Sequence, residues 1–210
     1  MNHGHEVLFV IFGISGDLAK RKLIPALYRL IGQPGMTEEF KIIGVSRQAD
    51  FEVSNLIENT LPFIGDAEDI RLNNLFNRVE IIHNPLSSTD DLANLRQALE
   101  DKSKELGNDV ARVYYLSIPP SAFPDLISKM GDTGHDDPFH NESERPRVLV
   151  ETPFGFDSAS ALALIKASDK EFGEKQIYRI DHYLAKETAQ NLLAFRFKNA
   201  LFESSWNARH

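Results

Sequence analysis

The chain has 210 residues, enough for one generous domain with its own core and part of a second, but short for two complete ones. Its 31 Asp and Glu against 23 Lys and Arg leave a formal charge of −8, which disfavours nucleic-acid and anionic-membrane partners, since both are bound largely through neutralised phosphates. Cysteine is absent, so disulfides, thiolate zinc sites and cysteine nucleophiles are excluded, and a reducing compartment is expected.

The amino terminus, Met1 to Glu6, has no basic region, and the apolar run after it stops at Gly13, which is not the pattern of a signal peptide. No apolar stretch approaches the ~20 residues that cross a bilayer. A soluble, cytoplasmic chain is expected. Apolar, β-branched runs recur at 7–12, 42–46, 79–82, 113–118, 148–150 and 177–180, separated by helical periodicity at 18–30, 54–63, 90–106, 120–130 and 157–172. The runs are continuously apolar, as parallel strands covered on both faces are. The expected fold class is therefore α/β, a doubly wound parallel sheet of the Rossmann-like dinucleotide-binding kind. Gly32, Gly107 and Gly173 stand where helix carboxyl caps belong. Residues 131–146 are rich in Gly, Asp, Asn, Ser and Pro and read as a surface loop. His135, Asp136, Asp137 and His140 within it have neither a zinc nor an EF-hand spacing, so a solvated loop is preferred to a metal site.

The first run ends in Gly13-Ile14-Ser15-Gly16-Asp17-Leu18-Ala19-Lys20 and opens a helix, the strand, glycine turn and helix that a dinucleotide fingerprint requires. Gly13 permits the tight turn, Gly16 admits a pyrophosphate to the backbone, and Ala19 lets the helix pack close. Asp17 would repel a phosphate and is assigned to capping the helix. Of Lys20, Arg21 and Lys22, at least one can reach the ligand. The second run ends in Ser46-Arg47, a hydroxyl and a guanidinium where NAD sites usually place an acid, which favours NADP. Asp50, three residues on, keeps NAD as the minority reading.

Near the carboxyl end, the nine residues 179–187 hold six ionisable side chains directly after an apolar run. His182 and Lys186 are four apart and share a face if a helix starts near Tyr183, where its N–H groups also favour a phosphate. A charged turn entering a solvated helix is the bland alternative. After Lys186, Ala189, Leu192, Leu193 and Phe197 form an apolar side that runs into Leu201, Phe202 and Trp206, which suggests a first domain over residues 1–187 and the start of another over 188–210.

With these motifs, Tyr115-Leu116-Ser117-Ile118-Pro119-Pro120 and Glu151-Thr152-Pro153-Phe154-Gly155 in this order, the chain resembles the glucose-6-phosphate dehydrogenase family across almost all its length. The resemblance implies oxidation of the C1 hydroxyl of glucose 6-phosphate to the lactone, with hydride passing to NADP+. It implies that Gly13, Ile14, Ser15, Gly16, Asp17, Leu18, Ala19, Lys20, Arg47 and Tyr115 line the coenzyme site, with Thr152 standing where the family usually has Lys, between sugar and coenzyme. His182, Tyr183 and Lys186 would hold the sugar phosphate, and Asp181 would orient a general-base histidine. In the family that base lies well beyond the signature, in the large domain that also makes the oligomer interface, and none of the seven histidines here matches it. The 210 residues are thus expected to be the coenzyme-binding portion of a homo-oligomeric enzyme and inactive alone. Ala185 stands where the family has Gly, and with Thr152 this predicts weakened substrate binding.

Two further readings compete. A short-chain dehydrogenase needs Tyr and Lys four apart, whereas Tyr183 and Lys186 are three apart. A non-catalytic NADP-binding or assembly module, complete at this length, would use its apolar end from Leu192 to Trp206 to dock a partner.

Overall fold

A computed structural model describes residues 6–31, 33, 40–107, 110–136, 145–151 and 158–180. Six strands, β1 (Glu6–Phe12), β2 (Phe40–Ser46), β3 (Val79–His83), β4 (Val110–Leu116), β5 (Arg147–Glu151) and β6 (Ile177–Ile180), form one sheet in the order β3-β2-β1-β4-β5-β6. Every pairing is parallel. Parallel neighbours need crossovers, and α1 (Ile24–Leu30), α2 (Val53–Ile64), α3 (Asp69–Phe76), α4 (Thr89–Leu106), α5 (Phe123–Asp132) and α6 (Ser158–Glu171) supply them.

The strands read as unbroken apolar runs because both faces are covered. Leu8, Val10 and Phe12 of β1, with Ile43, Val45, Tyr114 and Leu116, pack beneath Leu92, Leu95 and Leu99 of α4 and Leu126 and Met130 of α5. The alternate residues Ile11, Ile42 and Tyr115 pack against Ile24 and Leu27 of α1, Leu56 of α2 and Leu75 and Phe76 of α3. Period-two alternation therefore sorts side chains between two cores rather than between core and water.

The structure departs from the sequence reading at several ends. Strand β4 starts at Val110 and stops at Leu116, so Ser117 and Ile118 lie beyond it. Ser117 still donates its N–H to Phe12 O at 3.0 Å, which extends contact with the first strand but not the strand itself. Helix α3 was not expected: two Asn and an 86% exposed Ile70 blur its period, and only Leu75 and Phe76 are buried. Gly107 caps α4 through its N–H to Ser103 O, yet its φ of 166° is extended backbone open to any residue. Gly173 follows α6 with φ of −66° and opens a short 3-10 turn. Gly32 lies outside the described residues.

The largest correction concerns the expected loop at 131–146. Helix α5 continues through Gly131, where a Cβ would lie 2.0 Å from the Glu171 carboxylate, so glycine admits the close approach of α6. Gly134 then turns at φ of 74°, its N–H bonds Gly131 O and the His135 N–H bonds Met130 O, a Schellman closure. This turn folds His135 inward to 0% exposure beside Tyr114, so it is not solvated. Its Nδ1 pairs with Thr133 Oγ1 at 2.9 Å. Burial first, then the positive charges of Arg112 and Arg96, push its pKa down to about 4. Asp137 and His140 lie outside the described residues, and among the described residues no group of three or more acidic, His or Cys side chains could hold a metal.

Candidate coenzyme site

The strand order reverses between β1 and β4, and the crevice outside their carboxyl ends is where a doubly wound sheet accepts a ligand. Gly13 stands at that point with φ of 77°. A Cβ there would meet Ser117 O at 2.4 Å, so glycine is required both by the backbone turn and by the carbonyl of the chain leaving β4. The N–H groups of Gly13 and Ile14 both point at Val45 O, at 3.1 and 3.4 Å, and Gly16 N–H bonds Gly13 O at 2.9 Å. The helix closes its first bond from Lys20 N–H to Gly16 O, so Asp17, Leu18 and Ala19 occupy the opening turn, where helix geometry offers their N–H groups no acceptor. Ile14 is fully buried under Gly44, where a side chain would meet Ile14 at 2.8 Å. The sequence reading missed that second-strand glycine. Ala19 is buried and begins a π-helical turn, Ala19–Leu23, ahead of α1.

Asp17 does not cap this helix. Its carboxylate pairs with Lys20 Nζ and Arg21 Nη1, each at 3.2 Å, because cations three and four residues on share its face. The Lys20 hydrogen bond, ahead of Arg21, holds its pKa below the usual carboxylate range. Asp17 thereby holds the Lys20 ammonium at the start of the helix. Lys20 lines a polar cleft of about 200 Å³ with Ser15, Gln48, Asp50 and Asn55. Arg21 turns the other way, over the Phe63 ring at 5.3 Å.

Ser46 is 1% exposed, and its Oγ accepts from Gln48 N–H at 3.1 Å. That bond closes a tight turn after β2 and leaves Arg47 exposed on its outside. Arg47 lines a second cleft, of about 340 Å³, with Pro85, Leu86, Ile118 and Leu126. Lys20 and Arg47 thus line two clefts rather than sharing one, with consecutive residues Arg47 and Gln48 on different clefts. Leu86 is the one non-glycine among the described residues with positive φ, 57°, a conformation that costs of order 1–3 kcal/mol.

Tyr115, on the α1 side of the sheet, is 5% exposed, meets Phe9 edge-on and donates its hydroxyl to Glu151 at the end of β5. Burial first, then that carboxylate, raises the phenol pKa well above the ordinary tyrosine range. It is a fixed donor and not a proton acceptor. Thr152, Asp181, His182, Tyr183, Ala185 and Lys186, and with them the boundary after residue 187, lie outside the described residues. Lys20 and Arg47, expected from the sequence, each line a cleft, as do Gln48, Asn55 and Leu86, which come from three separate segments and carry no local signature.

A parallel sheet in this order, with a glycine turn at its reversal and two clefts beside it, defines a dinucleotide-binding domain of the doubly wound class. Residues 10–191 match the family model described as glucose-6-phosphate dehydrogenase, NAD binding domain, and the chain belongs to that family. Similar proteins include the glucose-6-phosphate 1-dehydrogenases of Chlamydia muridarum, 37% identical over 97% of this chain and 41% of that protein, and of Saccharomyces cerevisiae, 36% identical over 94% and 39%. A solved structure of a glucose-6-phosphate dehydrogenase in complex with its substrate glucose 6-phosphate superposes with a TM-score of 0.80 at 34% identity, covering 98% of this chain and 42% of that one. The Mycobacterium avium glucose-6-phosphate 1-dehydrogenase gives 0.72 at 30% identity, covering 97% of this chain and 42% of that one. The chain spans about two fifths of the length of the relatives it matches.

Proposed function

We propose that this chain is the NADP-binding portion of an enzyme that oxidises glucose 6-phosphate to its 1,5-lactone. The observation that carries the reading is the placement of Lys20 with Ile14 and Ser15 of the glycine turn on one cleft and of Arg47, at the end of β2, on another. A pyrophosphate is held by the opening-turn N–H groups of Asp17, Leu18 and Ala19 and by Lys20, which its ion pair with Asp17 already orients. Ser46 acts indirectly, by shaping the turn that presents Arg47. Arg47 meets a 2′-phosphate with a charge-assisted bond, the feature that selects NADP over NAD. Asp50 lines the polar cleft with Lys20, whereas Arg47 lines the other.

When bound, NADP+ supplies the hydride acceptor. Tyr115 fixes the end of β5 through Glu151, and with it the start of the segment that carries Thr152. From the family pattern, His182, Tyr183 and Lys186 grip the sugar phosphate, and Asp181 orients a general base contributed from beyond the 210 residues. The alternative, a non-catalytic NADP-binding module, shares the same clefts and likewise predicts no turnover from the 210 residues alone, so the two are separated by activity in a protein that also carries the general-base histidine. The 210-residue chain alone is expected to bind NADP+ without reducing it in the presence of glucose 6-phosphate. Absorbance at the NADPH band checks this, and steady turnover contradicts it.

The selectivity claim is tested by titrating NADP+ and NAD+ into the protein and its Arg47→Ala variant. The ratio of affinities should fall by about ten- to hundredfold. An unchanged ratio removes Arg47 from the role.

A further inference from the structure

The larger cleft is walled by apolar side chains, and the segment that builds one wall is held by a buried amide. Asn84 follows β3 and is 6% exposed, and it bonds three different segments. Its N–H donates to Ser46 O at 2.9 Å, which ties it to the end of β2 beside Arg47. Its Nδ2 donates to Asp91 O at 2.7 Å, in the first turn of α4. Its Oδ1 accepts from Leu86 N–H at 2.9 Å. The last bond spans Pro85 and fixes Leu86 at φ of 57°, a conformation a branched side chain avoids unless its surroundings impose it. In this conformation Leu86 packs partly into the core and partly onto the cleft, whose other lining is Pro85, Ile118, Pro119, Ala122 and Leu126, with Arg47, Ser121 and Asp125 as its polar groups, Asp125 being paired with Lys129 Nζ at 2.8 Å. A flat, apolar-faced ring that carries an anion at one edge suits such a slot.

We infer that Asn84 is a positioning residue for the adenosine 2′-phosphate end of the dinucleotide, acting by holding Leu86 as the apolar wall of the cleft that Arg47 rims. This rests on the coenzyme reading above. Asn84 is not among the side chains that line the cleft, and its Nδ2 and Oδ1 bond Asp91 O and Leu86 N–H within the protein. Its effect is to aim Leu86 and to keep the ends of β2 and β3 and the start of α4 in one register.

The probe is adenosine 2′,5′-bisphosphate, titrated by calorimetry beside NADP+ into the 210-residue chain, with thermal melting run on every variant. Leu86→Gly accepts the positive φ without steric cost but removes the side chain from the core edge as well as from the cleft, so its melting temperature should fall only modestly while affinity for the bisphosphate falls about tenfold. Asn84→Ala should lose affinity by a similar factor. A purely structural Asn84 would lower the melting temperature of Asn84→Ala and leave the affinity, read well below melting, within about twofold of the parent, and that overturns the inference. If Asn84→Ala does not fold, Leu86→Gly decides alone, and unchanged bisphosphate affinity there overturns it. Should the parent bind neither nucleotide, the coenzyme reading fails first; should it bind NADP+ while Leu86→Gly binds as tightly, only this inference fails.

Discussion

At the scale of single residues, two positions are constrained by physics that no neighbouring side chain can relieve. Gly13 combines φ of 77° with a Ser117 carbonyl 2.4 Å from where a Cβ would sit, and the obstacle is backbone. Gly13→Ala should therefore cost at least about 2 kcal/mol in chemical denaturation, the left-handed penalty plus the displacement of β4, and should weaken NADP+ binding in parallel. His135 is the second. Its folded pKa of about 4 lies below the ordinary 6.5, so between those values the unfolded chain binds more protons than the folded one. The stability that follows from the neutral buried ring is complete above pH 6.5 and is lost as pH falls towards 4. It amounts to roughly 3 kcal/mol at most. Urea unfolding of the parent and of His135→Leu across that window should show curves that converge in slope above neutrality and diverge below it, the variant being the flatter. Parallel curves would mean that His135 is not buried as a neutral ring.

At the scale of elements, the helix ends carry both stability and the limits of what the sequence discloses. Helix α4 starts from a reciprocal pair, Ser88 Oγ accepting from Asp91 N–H at 3.1 Å and Asp91 Oδ2 accepting from Ser88 N–H at 3.0 Å. Ser88→Ala should cost about 1 kcal/mol in thermal unfolding, and no loss would show that the pair is not a cap. Six strands and five of the helices could be read from the chain because apolar runs and helical period each act over a local window. Helix α3 could not, since Asn73 and Asn74 are poor helix formers and one burying turn is too short to set a period. The inward fold of His135 was hidden for a different reason. It depends on Gly134 closing the end of α5, and a glycine among polar residues looks the same whether it ends a helix or floats in a loop. Asp17 was misjudged by weighing its charge against a ligand without its neighbours at i+3 and i+4. The glycine turn and Arg47 could be singled out because each directly follows a strand, whereas Gln48, Asn55 and Leu86 come to line clefts, and Asn84 to hold Leu86, only once separate elements converge.

At the scale of the whole molecule, one topological fact organises the rest. Because β1 lies between β2 and β4, its crossover helix and that of β4 diverge to opposite faces and open a crevice at the carboxyl ends of the three strands. Ile14 and Ser15 of the glycine turn line one cleft there with Lys20, and Arg47 lines another. The clefts carry cations in a chain whose formal charge is −8, so binding should weaken as salt screens the phosphate contacts. Calorimetric titration of the chain with NADP+ is the most direct test of the account. Saturable one-to-one binding, at least about tenfold tighter than for NAD+ under the same salt, is the predicted result. Absence of binding at millimolar NADP+, or equal affinity for the two dinucleotides, would contradict it.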